Sequence, residues 1–104
     1  MRTTISVRHS EITPALRERA RDVTARLAEL SPHALEATVI FGQAPVGGTV
    51  EIRLHARGRQ VLIGIGEAGD HRSALDRAEQ KLRPQLLKAS RVRSRPPRTP
   101  ARDA

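Results

Sequence analysis

The sequence predicts a two-layer α+β domain of order β-α-β-β-β-α, with a four-stranded mixed sheet and both helices on one face. Three observations predict it. Two stretches repeat apolar residues at helical spacing, other stretches carry them at strand spacing, and glycine and proline punctuate the boundaries between most of them.

Thr3, Ile5 and Val7 alternate with Thr4, Ser6 and Arg8, the period of a half-buried strand. Thr13 and Pro14 then read as the N-cap and first position of a helix. The hydroxyl accepts from an orphan amide, and proline has no amide to lose. Leu16, Ala20, Val23, Leu27 and Leu30 form its apolar stripe, and Pro32 stops it near Leu30. Ala37 to Phe41 is a second strand, joined to the first through the helix and able to pair with it in parallel by a right-handed crossover.

A loop from Gly42 to Gly48 follows. Val50, Ile52, Leu54 and Ala56 then point one way, and Glu51, Arg53 and His55 the other. A turn at Arg57-Gly58 leads to Val61, Ile63 and Ile65, which the sequence assigns to the same inward set, giving an antiparallel hairpin with one wet side. Asp70 is the N-cap expected for a second helix, whose stripe is Leu75, Ala78, Leu82 and Leu86, with Ala89 at the next step. Pro84 lies inside that stripe and predicts a kink or restart near Arg83. From Val92 onward no apolar period survives, so residues 92–104 are expected to be a basic, proline-rich tail, disordered when free, behind a domain of residues 1–91.

Composition narrows the function. The 104 residues carry 19 Lys and Arg against 11 Asp and Glu, a formal charge of +8, which attracts polyanions. The chain has no cysteine, which removes disulfides, thiolate catalysis and the usual structural zinc sites. Residues 1–10 lack the apolar run of a signal peptide, and no stretch approaches the roughly 20 apolar residues that span a bilayer. A cytoplasmic protein without a membrane partner is expected. Phe41 is the only aromatic residue, so bases cannot be gripped on an exposed stacking platform. Nucleic acid would be held by charge, hydrogen bonds and shape.

Three stretches carry a family resemblance. Glu11-Ile12-Thr13-Pro14-Ala15-Leu16-Arg17 is close to E-I-T-x-A-L-R. The hairpin from Ile52 to Gly66 has a glycine turn. Asp70-His71-Arg72-Ser73-Ala74-Leu75-Asp76, followed by Lys81-Leu82, Gln85-Leu86 and Lys88, is close to D-x-Y-A-A-I-D and K-L-x-x-Q-L-x-K. Over about residues 1–91 the chain resembles the short form of the ribosome hibernation promoting factor family, also known as ribosome-associated inhibitors or sigma-54 modulation proteins. The resemblance implies the same β-α-β-β-β-α fold, akin to double-stranded-RNA-binding domains. It implies a cytoplasmic stress-response factor that inhibits translation by binding small-subunit ribosomal RNA where messenger and transfer RNAs sit. The chain departs from the family at Arg72, in place of the tyrosine, at Pro84 inside a helix that is usually continuous, and at Arg91, Arg93 and Arg95 in place of a lysine-rich helix end. The dimerisation domain of the long form is absent, so pairing of ribosomes by that route is not expected, and a free monomer is.

The candidate RNA-binding residues follow from charge. Lys81, Arg83, Lys88, Arg91, Arg93, Arg95, Arg98 and Arg102 form a run with no acidic residue between positions 80 and 102. Such a run neutralises phosphates, with arginine able to hold two oxygens at once, or else is a solvated helix face with a solubilising tail. Arg72 and Arg77 precede it on the same helix. Arg8 and His9 after the first strand, and Arg57 and Arg59 at the hairpin tip, are further candidates. Arg17, Arg21 and Arg26 are interleaved with Glu18, Asp22 and Glu29, a pattern equally suited to ordinary surface ion pairs. His33, His55 and His71 are scattered and read as surface residues.

Gly64-Ile65-Gly66-Glu67-Ala68-Gly69 matches G-x-G-x-x-G, but no strand follows the next helix and no acidic ribose ligand stands about 20 residues on. Those glycines are expected to relax the strand end. No H-E-x-x-H, nucleophile elbow or paired-carboxylate spacing occurs, so no enzyme activity, cofactor, metal or small-molecule substrate is expected. Two rival readings remain: a general double-stranded RNA binder, and a protein-interaction module diverged on the same fold.

Overall fold

The computed structural model describes residues 2–8, 11–31 and 33–94, with side chains to Lys88. The elements are β1 (Arg2–Val7), α1 (Pro14–Glu29), β2 (Ala34–Ala44), β3 (Gly47–Ala56), β4 (Gln60–Ala68) and α2 (His71–Ser94). The strands form one sheet in the order β1-β2-β3-β4. β1 lies parallel to β2, and the other two pairings are antiparallel. This is the order and mixed sheet expected from the sequence.

Local chemistry sets the helix starts. The Leu16 amide donates to the Thr13 hydroxyl at 3.1 Å, with Pro14 opening α1. The Ser73 amide donates to Asp70 Oδ1 at 2.8 Å at the start of α2. The Ser73 amide, then its hydroxyl, hold the Asp70 carboxyl below the usual carboxylate range.

Both helices lie on one face. Ile5 pairs with Val39, Val39 with Ile52, and Ile52 with Gly64, a row across the sheet that faces them. Phe41, Leu54, Ala20, Val23 and Leu27 join Leu75, Ala78, Leu82 and Leu86 in the core. Among the described residues nothing covers the opposite face.

Four expectations are corrected. The loop at 42–48 shrinks to a turn at Pro45-Val46, because β2 runs on to Ala44 and β3 starts at Gly47. Val61, Ile63 and Ile65 do not continue the inward set; they stand 44%, 41% and 46% exposed on the open face. The inward positions of β4 are Leu62, Gly64, Gly66 and Ala68, which pair with inward residues of β3. The reason is the closeness of α2. A Cβ at Gly64 would lie 2.5 Å from the Ala78 carbonyl oxygen, and one at Gly66 2.1 Å from that of Ala74. These glycines are the seat of the helix rather than a relaxation of the strand end.

α2 is continuous helix through Pro84, without a restart at Arg83. The proline is on the solvent side, where the Gln80 carbonyl that it leaves without a donor can turn to water. The Gln85 side chain donates to the next carbonyl, that of Lys81, at 3.2 Å. The helix extends to Ser94. The remainder of the expected tail lies outside the described residues.

Candidate nucleic-acid interface

The 3.6-residue repeat of α2 sorts its charges into two flanks. With Leu75, Ala78, Leu82 and Leu86 buried, Arg77, Lys81 and Lys88 fall on the flank above β4. Arg77 shows this directly: its Nη1 donates to the Glu67 carbonyl at 2.7 Å. Arg77, Gln80 and Lys81 line an open concavity with Ile65 and Glu67 of the strand. By the helical rise, Arg77 and Lys81 are separated by about 6 Å along the axis, and Lys81 and Lys88 by about 10 Å. All three cations are exposed, and none takes part in an ion pair among the described residues.

The other flank faces α1 and is largely neutralised. Arg19 donates to Asp76 at 2.8 Å. Arg26 grips Glu79 twice, Nε to Oε2 at 3.1 Å and Nη2 to Oε1 at 3.0 Å. The hydrogen bond to Glu79 raises the Arg26 pKa, against the opposing effect of burial. Arg83 lies on this flank, one turn beyond Glu79, and stays exposed. Arg17 and Arg21 project from the side of α1 away from α2, so the first-helix arginines do not act together.

The remaining candidates divide between the two ends of the sheet. α2 runs back over β4, from Ala74 against Gly66 to Gln85 beside Ile63. Its later turns therefore emerge at the end that holds the β3–β4 turn with Arg57 and Arg59. Gly58 and Arg59 both take left-handed backbone there, at φ 77° and 61°. The Arg57 amide donates to the His33 carbonyl at 3.0 Å, which fixes the turn against the start of β2. Lys88, Arg57 and Arg59 thus share one end.

Arg8 and Arg72 sit at the opposite end. The Arg8 amide donates to the Phe41 carbonyl at 2.8 Å, and its side chain lines a hollow on the open face. Arg72 lines a cleft between the helix starts with Glu11, Glu18, Asp22 and Asp70, an acid-rich setting. The position is exposed. The α2 backbone carries Arg91 and Arg93. Their side chains, and Arg95, Arg98, Arg102 and His9, lie outside the described residues.

His71 is not the surface residue that the sequence suggests. It is half-buried, with Nε2 2.7 Å from the Gly42 carbonyl oxygen and its ring edge-on to Phe41 at 5.7 Å between centroids. It clips the start of α2 to β2. Sequence reading also missed Gln85, which bonds the Ile63 carbonyl at 2.8 Å; its place directly after a helix proline was the available signal. Among the described residues no group of three or more His, Asp and Glu could hold a metal ion, and no helix is long and apolar enough to cross a membrane.

The model of one family, the sigma 54 modulation protein / S30EA ribosomal proteins, matches residues 3–93. No curated protein matches the chain significantly. Among solved structures, a ribosomal subunit interface protein from Coxiella burnetii is similar in fold, with a TM-score of 0.79 and 22% identity over 88% of this chain and 99% of that one. The N-terminal domain of Protein Y from Thermus thermophilus superposes with a TM-score of 0.75 and 28% identity, over 86% of this chain and 99% of that one.

Proposed function

Because the chain belongs to the sigma 54 modulation protein / S30EA ribosomal protein family, we propose that it is a cytoplasmic ribosome-binding factor that silences translation. It occupies the messenger and transfer RNA channel of the small subunit and is held there by electrostatic contact with ribosomal RNA. The observation that carries this reading is the flank of Arg77, Lys81 and Lys88, exposed and in no ion pair among the described residues, while Asp76 and Glu79 of the opposite flank are paired with α1. Arg57 and Arg59 at the hairpin tip extend that cationic surface at one end, and Arg83, on the opposite flank of α2, adds charge towards the same end of the molecule. Arg91, Arg93 and Arg95 continue the charge in sequence. Arg8 and Arg72, at the far end, are outside this contact.

Such a surface suits a backbone rather than bases. Each phosphate neutralised releases counterions, and with one aromatic residue in the chain, stacking contributes little. Silencing then needs only overlap with the RNA ligands and enough affinity, and no chemical step. The family's description as ribosomal proteins, and the name of a similar structure as a ribosomal subunit interface protein, support a ribosomal partner.

The test is sedimentation of the protein with purified ribosomes across a salt series. The expected outcome is pelleting at low salt that is lost steeply as salt rises. Failure to pellet at any salt rejects the reading. Displacement by excess RNA hairpin would instead favour a general double-stranded RNA binder.

A further inference from the structure

We propose that the free edge of β4 is a latent pairing surface for a second copy of this chain, kept closed by Arg77 and Gln85. β4 ends the sheet, and its segment 60–66 holds no charge and no proline. An uncharged, β-branched edge strand is a ready template for another strand. Val61, Ile63 and Ile65 are already exposed along one face of it.

The register makes this segment self-complementary. In an antiparallel ladder, each residue directs its N–H and C=O to the same side, and the side alternates along the strand. The carbonyls of Ile63 and Glu67 accept from α2, so positions 61, 63, 65 and 67 present their backbone groups to the free edge. A second β4, running antiparallel about Ile63, places Ile63 opposite itself and Val61 opposite Ile65. Each becomes a mutually hydrogen-bonded pair, and all the apolar side chains fall on the same open face. Such an isologous contact closes at two copies.

Two side chains stand in its way. The Gln85 amide donates to the Ile63 carbonyl at 2.8 Å, the centre of the symmetric pairing. Arg77 donates to the Glu67 carbonyl at 2.7 Å. Gln85 thus occupies the central acceptor of the ladder; Glu67 falls opposite Arg59 in the turn, so Arg77 acts from the ladder's margin, where with Lys81 it adds like charge beside the edge. A helix that folds over its own edge strand thereby occupies part of the edge through which the strand would associate.

The test uses the full chain, which has no cysteine of its own. An Ile63→Cys reporter is placed in the parent and in an Arg77→Met/Gln85→Met variant, which keeps long side chains but loses both donors. Directly paired Cα atoms in a hydrogen-bonded antiparallel site lie about 5.5 Å apart, within disulfide reach. The expected result is cross-linking through the reporter roughly tenfold faster in the double variant, because the central backbone acceptor is freed and a like charge is removed from beside the edge. A Val46→Cys reporter, on the β2–β3 turn away from this edge, should change by less than about twofold. Equal rates for Ile63→Cys in both backgrounds would overturn the proposal. So would matched acceleration at Val46→Cys, the mark of association through an unfolded chain. The readout is independent of ribosome binding.

Discussion

The Arg26 guanidinium and the Glu79 carboxylate join α1 to α2 through two parallel hydrogen bonds of 3.1 and 3.0 Å. The Glu79 side chain is only 12% exposed, whereas that of Arg26 is 45% exposed. The pair therefore stands between a surface ion pair, worth under about 1 kcal/mol, and a fully buried one, whose disruption costs roughly 3–5 kcal/mol. Arg26→Ala should lower unfolding free energy in urea by about 1–2 kcal/mol, because it leaves a shielded carboxylate unpaired. Arg26→Lys should recover only part of that, since an ammonium lacks the fork. Neither should alter the salt dependence of ribosome binding.

The free flank of α2 should behave differently. Lys81→Glu/Lys88→Glu should leave the thermal unfolding midpoint nearly unchanged, as both side chains are exposed, and abolish sedimentation with ribosomes. Lys81→Ala and Lys88→Ala should each reduce the slope of log affinity against log salt by roughly 0.7–0.9. Arg8→Ala, at the other end of the sheet, should leave the slope unchanged. Partner capture that survives the double reversal would favour the protein-interaction reading.

Gly64→Ala and Gly66→Ala test how α2 is seated. The added methyl would meet backbone oxygens at 2.5 and 2.1 Å, and backbone cannot swing aside as a side chain can. Each should cost roughly 1–3 kcal/mol or more in chemical denaturation, with Gly66→Ala the worse of the two.

Asp70 should leave a signature in acid. Its carboxyl is held below the usual range by the Ser73 amide, then by the Ser73 hydroxyl. A depressed folded-state pKa adds stability that is fully present above the unfolded value of 3.8 and is lost as pH falls through the folded value. Stability measured below pH 4 should therefore fall less steeply in Asp70→Asn, which keeps a capping oxygen but cannot ionise. Asp70→Ala should lower the unfolding midpoint at neutral pH, because the Ser73 amide loses its acceptor.

At the hairpin tip, Arg59 holds left-handed backbone at φ 61°, which costs a residue with a Cβ about 1 kcal/mol. Arg59→Gly should raise unfolding free energy by up to about 1 kcal/mol, offset in part by chain entropy, while weakening ribosome binding. A variant that is more stable and binds less well would mark Arg59 as retained for contact rather than for folding.

The element order was legible because each signal was local. Thr13-Pro14 and Asp70 cap helices by contacts within their own first turn, and the apolar spacing of Leu75, Ala78, Leu82 and Leu86 needs no partner to be seen. The excess of cations was legible as well, since charge is a sum over residues. Tertiary structure alone decided the inward face of β4 and the free flank of α2. Hydropathy favours burying Val61, Ile63 and Ile65, yet α2 approaches so closely that only Gly64 and Gly66 fit beneath it. Asp76 and Glu79, more than 50 residues from Arg19 and Arg26 in the chain, neutralise those arginines and leave Arg77, Lys81 and Lys88 unpaired. Both outcomes depend on the distance between elements remote in sequence, a quantity that no local pattern of residues contains.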